Sequence, residues 1–428
     1  MDFFKLKKHG TNVKTEFNAG FTTFLTMIYI VPVNAIIMSN AGLPMDALIT
    51  STALITIFAT VLNGIIANTP IAMSVGMGLN AYFTFGLVQG MGIPWETALG
   101  VVFLSGFIFL VLSFTQFRVW VLKSIPMDLR RAISAGIGAF ISFVGLKEMG
   151  LIVHSDATLV TLGDLSDTNT LLGVFGLLMV MTFWALKIKG AFIIAVLITS
   201  IFAWVFGISP YPTEFFSLPS SISPIFFKLD ILSAFSLALL PAIITFFITQ
   251  LFDSLGTLSG VGNRANLFDD EEGMKKFEKT LMVDATASTA GSFLGVSTTT
   301  AFAESASGVE EGGRTGLTSV FTGLFFTLTL FMLPLFKAIP PNAIYPVLVM
   351  VGVMMFSELA KIDFSSQATN VAAFFIVMLM PLTYSITTGL AFGFVAYFFV
   401  RLVKREFEEI NLGIVTLAAI SMLAFIVG

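Results

Sequence analysis

Between residues 17 and 401 the chain is a succession of fourteen apolar runs, and that succession leaves few folds open. A helix needs about 20 apolar residues to cross a bilayer core. The runs lie at 17–39, 47–67, 71–86, 95–116, 127–149, 170–186, 190–207, 231–260, 280–292, 293–310, 315–337, 341–358, 368–382 and 384–401. Charged residues make up 11% of the chain and hydrophobic ones 56%, against about 25% charged in soluble domains. No soluble core could hide this much apolar surface, so the fold class is an all-α polytopic membrane protein. The run at 17–39 is too long for a signal peptide and lacks a convincing cleavage site, so it reads as the first span. A further run, 411–427, follows the basic stretch 401–405. It reads either as a fifteenth span or as an interfacial helix.

Charge placement tests the layout. With the N-terminus on the cytoplasmic side, the inner segments hold Lys5, Lys7, Lys8, Lys14, Arg118, Lys123, Arg130, Arg131, Lys187 and Lys189. They also hold Arg264, Lys275, Lys276, Lys279, Arg314, Lys361, Arg401, Lys404 and Arg405, and the outer segments hold only Lys147, Lys228 and Lys337. This obeys the positive-inside rule. It predicts a multi-pass protein of the plasma (inner) membrane with a cytoplasmic N-terminus.

The same composition narrows the chemistry. There are no cysteines, and two histidines, His9 and His154, are too far apart in sequence to suggest a metal site. The Gly-rich stretch 308–316 lacks the spacing of a phosphate loop, and neither a metalloprotease nor a serine-hydrolase motif is present. No basic patch suits a nucleic acid. The expectation is no enzyme, no cofactor and no metal.

Two polar islands stand out against the apolar background. Residues 297–319 are small, polar and Gly-rich and carry Glu304, and residues 245–260 carry Asp253. An ionisable side chain at bilayer depth costs about 2.5–3.5 kcal/mol on insertion scales and is a functional candidate by default. Loss of hydration favours the neutral carboxyl form, so either group can exchange a proton. A carboxylate also accepts hydrogen bonds from ring N–H and amino groups. The alternative is a structural carboxylate satisfied by neighbouring hydroxyls. Asp284, near the inner end of a short run, and the cluster Glu310, Glu311 and Arg314 fit structural and solvated roles respectively.

The chain also carries an internal repeat. Thr23-Phe24-Leu25-Thr26 resembles Thr245-Phe246-Phe247-Ile248, Asn80-Ala81-Tyr82 resembles Thr300-Ala301-Phe302, and Ile125-Pro126 matches Ile339-Pro340. Seven spans per copy is odd, so the second copy enters from the opposite side. Inverted repeats place a substrate site near the midplane between broken helices. The third and tenth spans look broken, each a short extended piece followed by a half-helix. The half-helix N-termini are expected near Gly78 and Ala301, with Glu304 four residues into the second. Asn80 binds substrate or braces the break. Phe302 and Tyr82 stack on a planar ring or pack.

At these residues the sequence resembles a known family. Residues 76–83 (GMGLNAYF), 251–261 (LFDSLGTLSGV) and 304–320 (ESASGVEEGGRTGLTSV) are similar to the signatures of the AzgA-like purine permeases of the nucleobase–ascorbate transporter superfamily. The departures are small, ESASG in place of ESAAG and DSLGT in place of DTLGT. The resemblance implies the uracil-permease fold, two inverted seven-span repeats with short strands in the broken spans. It implies a core domain from residues 1–126 and 231–338 and a gate domain from 127–230 and 339–428. It further implies purine import by proton symport and alternating access, often as a homodimer. Asp253 and Glu304 would hold the purine and couple the proton, Asn80 would support binding, and Phe302, Ala303 and Tyr82 would line the pocket. The alternatives are a sulfate or carboxylate carrier of the same architecture, or an intramembrane enzyme using Asp253 and Glu304 as an acid–base pair.

Overall fold

The computed structural model describes residues 3–115 and 125–427, so Arg118 and Lys123 lie outside the described residues. The first span is two helices, Val13–Met27 and Ile30–Ser39. Pro32 has no N–H to return to the carbonyl of Ile28, and the helix breaks at residues 28–29. The second span is Met45–Ile66. The third is a strand, β1 (Met73–Val75), then the half-helix Met77–Ala81, then a π-helix, Tyr82–Gly90. Spans four to seven are Trp95–Ser113, Met127–Glu148, Thr168–Ala185 and Ala191–Val205. Between the fifth and sixth, β2 (Ile152–Ser155) and β3 (Leu159–Leu162) form an exposed hairpin.

The second copy repeats this order. Leu240–Asn263 and Glu271–Phe293 precede β4 (Thr299–Ala301) and the half-helix Ser305–Glu310. Gly316–Phe326 continues as a 3₁₀ turn, Thr327–Phe331, and Pro341–Phe356, Gln367–Leu382 and Ile386–Val403 complete the set. Pro126 and Pro340 cap the equivalent helices Met127–Glu148 and Pro341–Phe356, as their match in sequence predicts. Eight of the described helices are long and apolar enough to cross a membrane, and shorter apolar helices such as Ala191–Val205 and Gln367–Leu382 complete the layout. This is the polytopic helical fold with short strands in the broken third and tenth spans.

Several boundaries move. The run 231–260 is a single turn, Ile231–Ala234, and a separate helix from Leu240. The ninth span starts at Glu271, because Asp270 accepts the N–H of Gly273 at 2.6 Å and nucleates a charged first turn ahead of the apolar part. Asp284 therefore lies deep within that helix rather than near an end. The second half-helix starts at Ser305, not Ala301, since Thr299, Thr300 and Ala301 pair with β1 and β-branched residues favour extended backbone. The repeat register follows the strands: Met73, which opens β1, is equivalent to Thr299, which opens β4, so Asn80 is not equivalent to Thr300.

Two bundles form. In one, Val13–Met27 packs on Gly316–Phe326 and on Ser305–Glu310, Met45–Ile66 on Gly316–Phe326, and Glu271–Phe293 on Trp95–Ser113. In the other, Met127–Glu148 packs on Pro341–Phe356 and Gln367–Leu382, and Thr168–Ala185 on Ala191–Val205 and Pro341–Phe356. Each bundle has a glycine contact. A Cβ on Gly64 would sit 2.5 Å from the carbonyl of Gly316, and one on Gly138 would sit 2.5 Å from that of Gly352. Small residues are what let apolar helices approach in lipid, where no hydrophobic force drives them together.

Long-range pairs sort the chain into two faces. Lys5 and Lys8 pair with Glu272, Lys189 with Glu311, Arg264 with Glu310, and Arg131 donates to the carbonyl of Lys361. On the other face Lys337 pairs with Asp46 at 2.9 Å, and Asn342 donates to the carbonyl of Asn169. Glu310 and Glu311 are thus ion-paired at the surface. Arg314 donates to the carbonyls of Val309 and Gly313 at the end of the half-helix. Leu412–Val427 packs back along Ile386–Val403 with Ile414, Ala418 and Ser421 buried, and its residues 417–421 reach Pro241 at the far end of the eighth span.

One fold determinant gives no signal in the sequence. Glu16 is fully buried and accepts the N–H groups of Arg314 (3.0 Å), Thr315 (3.3 Å) and Thr318 (3.1 Å) and the hydroxyl of Thr318 (2.5 Å). It caps the helix at Gly316 from 300 residues away, where no local pattern marks it. Glu16→Ala leaves these donors buried and unpaired, at a cost of about 1–3 kcal/mol for each group left unsatisfied. The expected outcome is a clear drop in melting temperature of the detergent-purified protein, with Glu16→Gln intermediate. An unchanged melting temperature in the Ala variant would contradict this.

Candidate functional site

The strands β1 and β4 pair antiparallel, Met73 with Ala301, Ser74 with Thr300 and Val75 with Thr299. Each hands over to a half-helix, so two helix N-termini meet at the crossing, Gly76 capping one and Glu304 the other. At the second of them the N–H groups of Ser305, Ala306 and Ser307 donate to the carbonyls of Phe302, Ala303 and Glu304, so its first turn is satisfied by its own backbone. Around this crossing three carboxylates converge from three elements.

Asp253 comes from the middle of Leu240–Asn263 and is half-buried, with the hydroxyl of Thr300 hydrogen-bonded to it. Glu304 stands one residue before the second half-helix and is also half-buried. Tyr29 donates its hydroxyl to Glu304 Oε1 at 2.5 Å. Tyr29 sits at the break that Pro32 imposes on the first span, and its buried ring lies edge-on to Phe192, 5.2 Å away. Asp253 and Glu304 lie within each other's electrostatic field. Among the described residues, no Lys, Arg or His forms an ion pair with either.

Asp284 is different. It is fully buried behind β4, where Ser254 donates to it and the hydroxyl of Thr299 lies 3.4 Å from its Oδ1. Gln250 donates to Ser288, and Ser288 meets the hydroxyl of Thr299 at 3.0 Å. Ser254 in turn is 3.2 Å from the hydroxyl of Thr300. This hydroxyl lattice fixes β4 against the eighth and ninth spans and so fixes Thr300 beneath Asp253. Asp284 is the scaffold carboxylate of the set, while Asp253 and Glu304 are the two that face accessible space.

The remaining sequence-predicted residues divide. Ala303 is exposed beside Glu304, and Phe302 is buried with its N–H on the carbonyl of Ala72 at 3.0 Å. Asn80 is fully buried and donates to Asn34 at 2.5 Å, while Asn34 donates to Thr52 at 2.7 Å. That chain ties the first half-helix to the first and second spans. Tyr82 is buried too, with its ring 5.3 Å from that of Phe246 and its hydroxyl 2.5 Å from that of Thr387. The structure thus gathers Asp253, Glu304, Phe302 and Ala303 at one place and gives Asn80 and Tyr82 protein partners. Sequence reasoning missed Tyr29 and the depth of Asp284. A proline inside the first apolar run was the one signal that pointed to Tyr29.

Along the eighth span exposure changes at Asp253. Gly256 and Gly260 lie on the same helical face as Asp253, toward the basic face, and both are exposed. A Cβ at either position would meet no atom within 4 Å. In the opposite direction Thr249 and Thr245, one and two turns away from Asp253, are buried.

Two half-buried carboxylates beside crossed half-helices suit a carrier of a small hydrogen-bonding solute. Comparison with known proteins agrees: the Permease family matches residues 14–392. The chain belongs to the Permease family. It is 40% identical to the adenine permease AdeQ of Escherichia coli, over 99% of this chain and 95% of that one. It is 37% identical to the guanine/hypoxanthine permease PbuG of Bacillus subtilis, over 96% and 95%. The resemblance to purine permeases seen in three motifs thus holds across the chain. In structure it is similar to the transmembrane domain of a cyanobacterial bicarbonate transporter, BicA, at a TM-score of 0.64 and 14% identity, over 88% of this chain and 97% of that one. At that identity the likeness speaks for the fold, which is the uracil-permease fold. A permease is a transporter and not an enzyme.

Proposed function

We propose that this permease imports purine nucleobases by proton symport. The observation that carries the reading is the pair Asp253 and Glu304, both half-buried at the crossing of the two half-helices, with no ion-paired cation among the described residues. A purine presents ring N–H and amino donors on one edge, which carboxylates accept. Glu304, oriented by Tyr29, takes that edge, and Phe302 and Ala303 line the pocket beside it. Asn80 holds the first half-helix in place through Asn34. The names of the relatives AdeQ and PbuG support a purine as substrate. An anion site lined by two carboxylates would repel its own ligand, which argues against a sulfate, carboxylate or bicarbonate carrier.

In this reading spans one to four and eight to eleven form a core that carries purine and proton, and spans five to seven and twelve to fourteen form a gate. The two move against each other as nearly rigid bodies. The protein resides in the inner membrane as a homodimer, with the basic face and the N-terminus cytoplasmic. Labelled hypoxanthine uptake by cells lacking their own purine carriers, competed with adenine, guanine, xanthine and uracil, tests the substrate class. Competition by one or more purines but not by uracil is the expected outcome, and no uptake above that of the empty host would contradict it.

The orientation carries its own prediction. The chain has no cysteine of its own, so single cysteines report cleanly. Ser166→Cys, beside the exposed hairpin, should react with an impermeant thiol reagent in intact cells, and Asn266→Cys should not. Reaction of Asn266→Cys from outside would overturn the orientation.

A further inference from the structure

In the outer half of the seam between core and gate a three-hydroxyl contact stands beside the bond from the Trp204 indole N–H to the carbonyl of Ala338 at 2.9 Å. The hydroxyl of Tyr82, in the π-helix after the first half-helix, lies 2.5 Å from that of Thr387. The hydroxyl of Thr245 lies 2.9 Å from the same Thr387. Thr387 is the second residue of Ile386–Val403, and Thr245 is in the first turns of Leu240–Asn263. One gate hydroxyl is therefore gripped by two core hydroxyls, one from each repeat. Tyr82 and Thr245 are buried and Thr387 is half-buried. Close by, a Cβ on Gly86 would sit 3.4 Å from the carbonyl of Tyr384 in the turn before Thr387, and Asn40 reaches the hydroxyl of Tyr345 at 3.5 Å. On the inner side the two bodies meet through Arg130, 5.7 Å from the ring centroid of Phe252, and through Lys189 with Glu311, whose side chains are 59% and 35% exposed. A solvated pair of that kind contributes little.

We infer that Tyr82, Thr387 and Thr245 form the latch that closes the outer entrance, and that Tyr82 positions the gate rather than contacting the substrate. The inference rests on the carrier reading but not on the identity of the cargo. The contact sits between the outer surface and Asp253, whereas the face of the eighth span inward of Asp253 is open at Gly256 and Gly260. Hydroxyl pairs suit a latch. A neutral hydrogen bond is worth about 0.5–1.5 kcal/mol net, enough to bias two states and weak enough to break in every cycle.

Thr249 provides the reporter. It lies one turn inward of Thr245 and one turn outward of Asp253, is buried, and its hydroxyl has no partner among the described residues. In a Thr249→Cys background, outside labelling by an impermeant thiol reagent, with no substrate present, reads how often the outer entrance opens. Tyr82→Phe keeps the ring and removes the hydroxyl, and Thr387→Val removes the other partner. Tyr82→Phe is expected to raise the labelling rate about threefold to tenfold, the factor that corresponds to one lost hydrogen bond, and Thr387→Val, which loses the bonds to both Tyr82 and Thr245, by at least as much. The double variant should label no faster than Thr387→Val alone, since both remove the same contact. Unchanged or slower labelling in Tyr82→Phe, or additive effects in the double variant, would overturn the latch. Size-exclusion profiles in detergent confirm that each variant is folded before it is scored. Because no purine is used, faster labelling with no purine transport would sink the substrate reading and leave the latch standing.

Discussion

Glu304→Gln is expected to abolish purine uptake while the protein still reaches the membrane at normal levels. Glu304 accepts the hydroxyl of Tyr29 and faces the pocket beside the exposed Ala303. Glutamine keeps the length and the planar head but replaces one acceptor oxygen with a donor and removes the charge. It would set an N–H against the purine's own N–H donors. Each hydrogen bond to a charged group is worth about 1.5–3 kcal/mol, which corresponds to a loss of roughly 10- to 150-fold per bond in apparent affinity. Two such bonds would put uptake below detection. Initial rates of labelled purine uptake, scaled to the amount of protein in the membrane, provide the check. Near-normal rates and affinity in a well-expressed Gln variant would remove Glu304 from the site. Tyr29→Phe should show a milder form of the same defect, because it frees the carboxylate without removing it.

Asp253→Asn should separate exchange from accumulation. Asp253 is held by the hydroxyl of Thr300, and no Lys, Arg or His among the described residues forms an ion pair with it, so a proton is the available counter-charge. In the proposed cycle substrate and proton ride together, and the proton leaves on the inner side through the opening at Gly256 and Gly260. Asparagine mimics the protonated carboxyl but cannot release its proton. The variant should still exchange labelled for unlabelled purine across a vesicle membrane while failing to concentrate it when the outside is acidified. The native protein should concentrate purine more strongly as external pH falls from about 8 to about 6, and lose that gain with a protonophore. An Asn variant that still accumulates purine in a pH-dependent way would move the coupling proton to Glu304. Accumulation driven by sodium would remove proton coupling from the account.

Most of the fold was legible in the sequence because lipid imposes a simple rule. Every backbone group must be satisfied within the span, so span-length apolar runs mark helices, and polar, Gly-rich islands inside them mark the breaks. The broken third and tenth spans, Asp253 and Glu304 were found in that way. The equivalence of Pro126 and Pro340 was legible because proline at a helix start is a local requirement. What failed was everything set by contacts across the chain. The pairing of β1 with β4 fixes the repeat register, yet short matches such as Asn80-Ala81-Tyr82 with Thr300-Ala301-Phe302 pointed elsewhere. The short apolar run around Asp284 places it near the run's inner end, whereas its helix begins with charged turns from Glu271. Tyr29, Glu16 and the Tyr82–Thr387 contact join residues 275 or more positions apart, and no local pattern could reveal them.

The central claim is that this chain moves purines through the Asp253–Glu304 site. Counterflow with the purified protein in proteoliposomes tests it most directly. Vesicles are loaded with unlabelled adenine, guanine or hypoxanthine and diluted into a trace of the labelled base, with bicarbonate-loaded vesicles and the Glu304→Gln protein in parallel. The account predicts a saturable, transient overshoot of label for at least one purine, none in the Gln variant, and no labelled bicarbonate flux above that of empty liposomes. Carrier-mediated bicarbonate exchange without purine counterflow, or purine counterflow undiminished in the Gln variant, would contradict it.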